Sequence, residues 1–405
     1  MITRTTRLGL LAATLAIFAS ACSGSATAAP SVAPSAAASA AAASAAPSVA
    51  ASVAPSEAPS PSAAPHSDLK IGVVTDIGTL DDKNYNEYTY KGVTAAAAAI
   101  GAANPPAVVP KDASEYAKDI QSYVDQKFNM IVTVGFNLAK DTGVAAVKNK
   151  DIQFIGVDQG PICLKADGQP DFTFPCPLDA KTVAPNYISI DFQEDQAGYL
   201  AGIVAASVSK TGVIGAIGGT TLCASCVRYI QGYVLGAQSI NKDIKVKTAY
   251  VTNDFSAAAF NDPVGGKKFA QSFITTNKPD VLFQVAGKTG NGVLDAACAA
   301  NIYGVGVDVD QAVSYVNATK CIVTSAEKHL QIATGAVIQQ LAAGDKLVGD
   351  VLFNAKNQGI GASPGHDLAS LITPAIQSKL DAAMAAMVAG TLKTCPATGC
   401  GVYSK

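Results

Sequence analysis

The chain has 405 residues, with 29 Lys plus Arg against 31 Asp plus Glu and a formal net charge of −2. Only 15% of residues are charged, and no basic stretch carries interleaved aromatics, so nucleic acid is not an expected partner. The chain is long enough for two lobes with separate cores.

The first segment, MITRTTRLGLLAATLAIFASAC, places Arg4 and Arg7 before an apolar run from Leu8 to Phe18 and ends in small residues. This is the pattern of a secretory signal peptide, with an apolar part too short to span a membrane. Ala19-Ser20-Ala21-Cys22 resembles a bacterial lipobox, with Ala where Leu is usual. It predicts a lipoprotein acylated at Cys22, with palmitate among the expected chains; cleavage near Ala21 with Cys22 incidental is the alternative. Residues 23–67 are almost wholly Ala, Ser and Pro, with Glu57 the one charge. Such a segment cannot bury enough apolar area to offset its ordering entropy, so a disordered tether is expected there.

From Leu69 a regular alternation begins. LKIGVVTD (69–76), AVVP (107–110), MIVTVG (130–135), IQFIGVDQ (152–159) and YISIDF (187–192) read as strands. Helices are expected over 84–101, 114–127 and 139–150. The rhythm repeats with strands at 212–219, 245–252, 280–287 and 303–310 and helices at 226–240, 264–276 and 290–300. Short apolar strands alternating with helices predict parallel α/β sheets, and two such series predict two similar lobes. Ligands of such sheets bind beyond the carboxyl ends of the strands. Asp76, Gly135-Phe136-Asn137, Asp158, Gly287-Lys288 and Asp308 all fall at those ends. Asp81 and Asp82 are expected to cap the helix after them.

With Cys22 set aside, eight cysteines remain, an even number that fits an oxidising compartment. Pairing of sequence neighbours gives Cys163–Cys176, Cys223–Cys226, Cys298–Cys321 and Cys395–Cys400. Cys223-Ala-Ser-Cys226 has a redox motif as its alternative. No His lies near these cysteines, so no metal site is expected.

Several enzyme motifs fail on inspection. GASPG (361–365) matches a nucleophile elbow, but Pro364 has no N–H for the oxyanion hole. AGKTG lacks the earlier glycine of a phosphate loop, since position 282 is Leu282. GVGVDV has Val309 at the third glycine of a dinucleotide fingerprint. His66, His329 and His366 are scattered. No catalytic residue and no cofactor is therefore expected.

Six segments in order, VVTDIGTLDDKNYN, YLAG, FNDPVGGK, VAGKTGNGV, GVDVDQ and TSAEK, resemble the basic membrane protein family of ABC-transporter substrate-binding lipoproteins, which includes purine nucleoside receptors. The resemblance covers about residues 70–330. It implies a type I periplasmic-binding-protein fold: two doubly wound parallel-sheet lobes joined by a three-segment hinge, with the ligand in the cleft. Lobe 1 is expected at 69–193 and 311–345, and lobe 2 at 194–310 and 346–405. The resemblance further implies that Tyr85 and Phe260 sandwich a nucleobase, with Asn86 beside them. Asp76 accepts from the base, and Asp158 and Asp308 accept from ribose hydroxyls. Lys328 donates to those hydroxyls, and Gly287 leaves room for the sugar. Tyr85 replaces the usual Phe, and Lys288 stands where a second Gly is common. Structural alternatives remain for each: packing for Tyr85 and Phe260, helix capping for Asp308, displacement of Asp158 by the adjacent 160–184 insertion, a surface ion pair for Lys328. The implied protein is a monomeric, lipid-anchored receptor on the extracytoplasmic face of the cell membrane. Its partners are a nucleoside-like solute and the permease and ATPase subunits of an importer. Another flat heterocycle such as a flavin, an unrelated small solute, a sensor ectodomain, or an enzyme working through carboxylates alone are the other readings.

Overall fold

The computed structural model describes residues 68–160, 163–171, 177–178, 180–396 and 400. The signal-peptide, Cys22 and tether expectations lie outside the described residues, as does Cys176. All of the described residues fall within one compact unit.

In chain order the elements are β1 (Ile71–Thr75), α1 (Tyr85–Ala99), β2 (Ala107–Val108), α2 (Tyr116–Asp125), β3 (Met130–Val134), α3 (Ala139–Lys148), β4 (Gln153–Val157), α4 (Ala180–Val183) and β5 (Tyr187–Phe192). Then come α5 (Glu194–Val208), β6 (Val213–Thr220), α6 (Ala224–Ile240), β7 (Lys245–Thr252), α7 (Ala257–Phe260), α8 (Pro263–Asn277), β8 (Val281–Val285), α9 (Gly287–Ala299), β9 (Tyr303–Asp308), α10 (Gln311–Ser314) and β10 (Ile322–Lys328). The chain ends with α11 (Leu330–Ala342), β11 (Gly349–Phe353), β12 (Ile360–Ala362) and α12 (Pro374–Val388).

β1, β3 and β8 read IGVVT, MIVTV and VLFQV, and every residue of them is buried, as parallel strands covered on both faces must be. They help build two six-stranded sheets, ordered β11-β5-β4-β3-β1-β2 and β12-β10-β9-β8-β6-β7. All pairings are parallel except β12 against β10. Both sheets share one order, so the molecule contains the same winding twice. The likeness reaches individual residues. The amide of Gln159 donates to Ser189 Oγ at 3.2 Å in one lobe, and that of Gln311 to Ser325 Oγ at 3.1 Å in the other. This is the type I periplasmic-binding-protein fold.

Three segments join the lobes: Gln193 between β5 and α5, His329 between β10 and α11, and residues 354–359 between β11 and β12. The expected lobe boundaries are corrected at the second and third of these. Residues 311–328 stay with the second lobe, because β10 pairs with β9 through Ser325 and Gly306. The stretch from α11 to β11 belongs to the first lobe. β11 adds to β5 as an edge strand, and α11 lies on α1 where Gly92 has no Cβ to meet the Gln331 backbone. Residues from β12 onward return to the second lobe.

The second lobe is locked by α5 against α6. Gly198 and Gly202 face the carbonyls of Tyr229 and Tyr233, and Gly232 and Gly236 face those of Asp195 and Tyr199. A Cβ at any of the four would overlap partner backbone, so glycine is required for this close approach. One turn before each glycine pair stand Glu194 and Arg228, which the zipper carries to the cleft end of the two helices.

Candidate ligand-binding site

The carboxyl ends of the strands face one another across the cleft, and a cavity of about 80 Å3 lies between them. Asp76, Tyr85, Asn86, Asp158, Phe260, Gly287, Asp308 and Lys328, drawn from both lobes, all line it. The structure therefore brings together every ligand-site residue singled out in the sequence.

Lys328, the last residue of β10, is buried at the centre. Its ammonium bonds the Asp158 carboxylate of the first lobe and stands 3.2 Å from Glu194 and 3.8 Å from Asp308. The rings of Tyr85, Phe192 and Tyr229 surround it at 5.3, 5.4 and 5.7 Å from their centroids. Burial alone would drive the proton off the lysine, but the three carboxylates reverse this and hold its pKa above the ordinary value. For Glu194, burial pushes the pKa up, yet Arg228 at 2.5 Å and Lys328 bring it below the ordinary value. Burial prevails at Asp308, whose pKa rises to about 6 despite Lys328 and a 3.1 Å hydrogen bond from Tyr229 Oη. Burial likewise raises Asp158. Asp158 and Asp308 both sit at positive φ, 58° and 63°, at the ends of equivalent strands. Both residues line the cavity, and the helix after β9 takes its side-chain cap from Asp310, which accepts from the Ala312 amide, and not from Asp308.

The other predicted residues divide by how fully the protein itself engages them. Asp76 Oδ1 accepts from Ile77 N at 2.6 Å, Asn137 Nδ2 at 3.1 Å and the Tyr116 hydroxyl, leaving Oδ2 with only the 3.3 Å amide of Asn137. The Tyr85 hydroxyl, the departure from the family's Phe, donates to Val157 O at 3.1 Å. Phe260 lies over Gly219, where a Cβ would strike its ring, and beside Gly287, where a Cβ would touch its backbone oxygen at 3.3 Å. Gly287 sits at φ 50°, the left-handed region that favours glycine. Two buried acceptors on residues that line the cavity, Asn86 Oδ1 and Asp158 Oδ1, have no hydrogen-bond partner among the described residues.

The loop that caps α1 behaves as the spacing implies, though only one of its two aspartates is the cap. Asp82 is buried and accepts from the amides of Asn84, Asn86 and Glu87 at 2.9, 2.9 and 3.1 Å. Asp81 is exposed and meets Lys288 at 3.3 Å. Lys288 also reaches Thr79 Oγ1 at 3.1 Å, so it clasps the first lobe instead of filling the cavity. Asn291 Nδ2 to Asp82 O at 3.0 Å and Ser314 Oγ to Lys83 O at 2.7 Å complete this clasp.

Sequence reading placed Phe136 at a strand end without giving it a role and passed over Glu194, Arg228 and Tyr229 as site residues. Phe136 meets Phe260 edge-on at 6.2 Å and Phe255 at 5.1 Å between centroids, closing an aromatic wall across the cleft. Its place after β3 was a usable signal; Glu194 and Arg228 carried none until the helix zipper set them side by side. The pairs Cys223–Cys226, Cys298–Cys321 and Cys395–Cys400 stand at disulfide geometry, with Cα atoms 5.3, 5.4 and 5.3 Å apart. One cluster of metal-ligating residue types, Asp195 with Cys395 and Cys400, has its two sulfurs turned on each other.

Two parallel-sheet lobes, a three-segment hinge and a polar, aromatic-walled cleft define a solute-binding protein. Residues 69–384 match the family model described as ABC transporter substrate-binding protein PnrA-like. The chain belongs to this family, whose members are binding proteins of transporters and not enzymes. It is 29% identical over 314 residues to the ABC transporter nucleoside-binding protein BmpA of Lactococcus lactis, covering 73% of this chain and 81% of that one. It is also 29% identical over 249 residues to Basic membrane protein A of Borreliella burgdorferi, covering 60% of this chain and 64% of that relative's length. Among solved structures, an ABC transporter solute-binding protein from Aeropyrum pernix K1 superposes with a TM-score of 0.65 at 18% identity, over 80% of this chain and 92% of that one. One from Conexibacter woesei gives 0.59 at 19% identity, over 80% and 97%.

Proposed function

We propose that this chain is the lipid-anchored, extracytoplasmic receptor of an ABC importer and that it binds a nucleoside, with a purine nucleoside as first candidate, in the interlobe cleft. The observation that carries this reading is a pair of buried acceptors, Asn86 Oδ1 and Asp158 Oδ1, without partners among the described residues, on a cavity walled by Tyr85, Phe136 and Phe260. Buried acceptors left without donors are costly, so a fitting ligand supplies N–H or O–H groups together with a flat ring. A nucleoside has both. Its base lies against Tyr85 and Phe260, Asp76 Oδ2 and Asn86 take base N–H groups, and Asp158, Asp308 and Lys328 take the ribose. The relative from Lactococcus lactis, named a nucleoside-binding protein, supports the same ligand class.

Mass spectrometry of small molecules released when the purified protein is denatured tests the ligand. A nucleoside at near-equal molar amount is expected; a flavin or sugar in its place would refute the assignment. Anchoring is tested separately. Cys22→Ser is expected to move the protein from the membrane fraction to the soluble one, and continued membrane association would contradict acylation at Cys22.

A further inference from the structure

The cysteine pairs serve different places in the fold. Cys298–Cys321 ties the end of α9 to the segment before β10, within a small cluster that includes Ala312 and Ala318. Cys395–Cys400 lies in the C-terminal tail. Cys223 and Cys226, with Ser225 between them, instead line the cleft cavity alongside Phe260, Asp308 and Lys328. Both cysteines are almost wholly buried, at 2% and 4% exposure, so the cavity is their route to reagents. As a staple the pair is weak, because a short closed loop removes less entropy from the unfolded chain than the longer 298–321 loop does.

We propose that Cys223–Cys226 is a redox-modification site inside the ligand cleft, opened by a dithiol reductant that enters between the lobes, and that its opening weakens ligand binding. The proposal rests on the reading of the cleft as the ligand site.

The coupling runs through α6. Cys223 immediately precedes this helix of 17 residues and accepts from the Cys226 amide at 3.1 Å. Arg228 and Tyr229 come next on the helix and hold Glu194 and Asp308, and these two carboxylates flank Lys328. Freeing the first turn of α6 therefore releases the residues that set the charge arrangement around Lys328. In the exchange, one thiolate of the reductant bonds to Cys226 Sγ, the Cys223–Cys226 bond breaks, and Cys223 leaves as a thiolate. The Cys226 amide and the Ser225 hydroxyl, 3.4 Å away, stabilise that leaving group. The reductant's second thiol then attacks its own bound sulfur and frees Cys226. Two electrons and two protons pass to the cysteines, and the dithiol ends as a disulfide. A ligand that seats its donors on Asn86 Oδ1 and Asp158 Oδ1 fills the same cavity and blocks this route. That occlusion slows reduction; the loss of affinity comes separately, from the freed Arg228 and Tyr229 contacts, and this equilibrium part is reciprocal between ligand and redox state.

The test uses the full-length protein, dithiothreitol, and inosine as the probe nucleoside. Thiols are located by alkylation and peptide mass spectrometry, affinity by calorimetry, and α6 by hydrogen exchange. Cys223 and Cys226 are expected to be reduced before Cys298 and Cys321, and saturating inosine to slow this. The reduced protein and the Cys223→Ser/Cys226→Ser variant are expected to bind inosine about tenfold more weakly, within the usual range of linked sites. Exchange over residues 224–233 should rise. If the pair stays oxidised while Cys298–Cys321 opens, or if reduction changes neither affinity nor exchange, the proposal is overturned. If the oxidised protein takes up no nucleoside, the nucleoside reading fails by itself, and reduction order with exchange still decides this proposal.

Discussion

Lys328 and Asp158 form an ion pair across the cleft: the ammonium ends β10 of the second lobe, and the carboxylate comes directly after β4 of the first. Lys328 also adjoins the His329 crossing, so the charge that joins the lobes sits at their hinge. Glu194 and Asp308 come from the same lobe as Lys328 and remain with it whether the cleft is open or closed. Asp158 alone of the three changes its partner on opening, which makes it the electrostatic part of closure.

Asp158→Asn is therefore expected to favour the open form at little cost in stability, whereas Lys328→Met removes the cation that Asp158, Glu194 and Asp308 share. A broken buried ion pair costs about 3–5 kcal/mol, so the Lys328 variant should show a large drop in denaturant midpoint. Small-angle scattering checks the first variant and equilibrium unfolding the second. Equal stability loss in both would show that Asp158 is as embedded as Lys328.

The aromatic wall separates contact from support. Phe260→Ala should weaken nucleoside binding by about 1–3 kcal/mol through lost stacking and buried area. Tyr85→Phe removes only the hydrogen bond to Val157 O, within the first lobe. It should cost about 0.5–1.5 kcal/mol of stability and leave affinity almost unchanged. Calorimetry with unfolding curves on both variants distinguishes these outcomes.

The raised pKa of Asp308, about 6, gives two pH effects of defined sign. Between its ordinary value and about 6 the folded protein holds a proton that the unfolded chain has lost. This group therefore makes the protein less stable as pH rises through that window, and its contribution is level above it. Binding runs the other way. In the proposed binding mode a ribose hydroxyl donates to the ionised carboxylate, so affinity should fall as pH drops below about 6. Asp308→Asn should weaken nucleosides more than free bases and flatten this pH dependence. An unchanged profile in the variant would assign the titration to another group.

Lys288 spans the cleft to the edge formed by Thr79 and Asp81. Exposed pairs are worth about 0–1 kcal/mol and are screened by salt. Lys288→Gly should shorten ligand residence modestly, more at low salt than at high, without altering which ligand binds. Lost binding, or a new ligand preference, would instead place the lysine against the ligand.

Much of the fold was legible because parallel strands buried on both faces leave uninterrupted apolar runs, and their polar ends point to the cleft. Asp158 and Asp308 could be read as counterparts from GVDQ and GVDVDQ alone, since both close equivalent strands. The lobe boundaries after residue 310 could not. Which sheet β10, β11 and β12 join depends on pairings that no local pattern marks: Ser325 with Gly306, and Val351 with Ile190. The same limit hid Glu194 and Arg228. Their ion pair exists because four glycines let α5 and α6 touch, and no local pattern announces a contact 34 residues away. The role of Lys288 stayed open for a related reason: a lysine at a strand end can reach into the cleft or across it, and only the position of Thr79 and Asp81 decides.

The central claim is that the cleft holds a nucleoside through both its base and its sugar. Calorimetry on full-length protein stripped of ligand, titrated in parallel with inosine, guanosine, adenosine, their free bases and riboflavin, tests it most directly. The account predicts heat and saturation at one site for at least one purine nucleoside, weaker binding of its free base, and loss of that difference in Asp308→Asn. Folded, ligand-free protein that binds none of the nucleosides, or binds base and nucleoside alike, would contradict it.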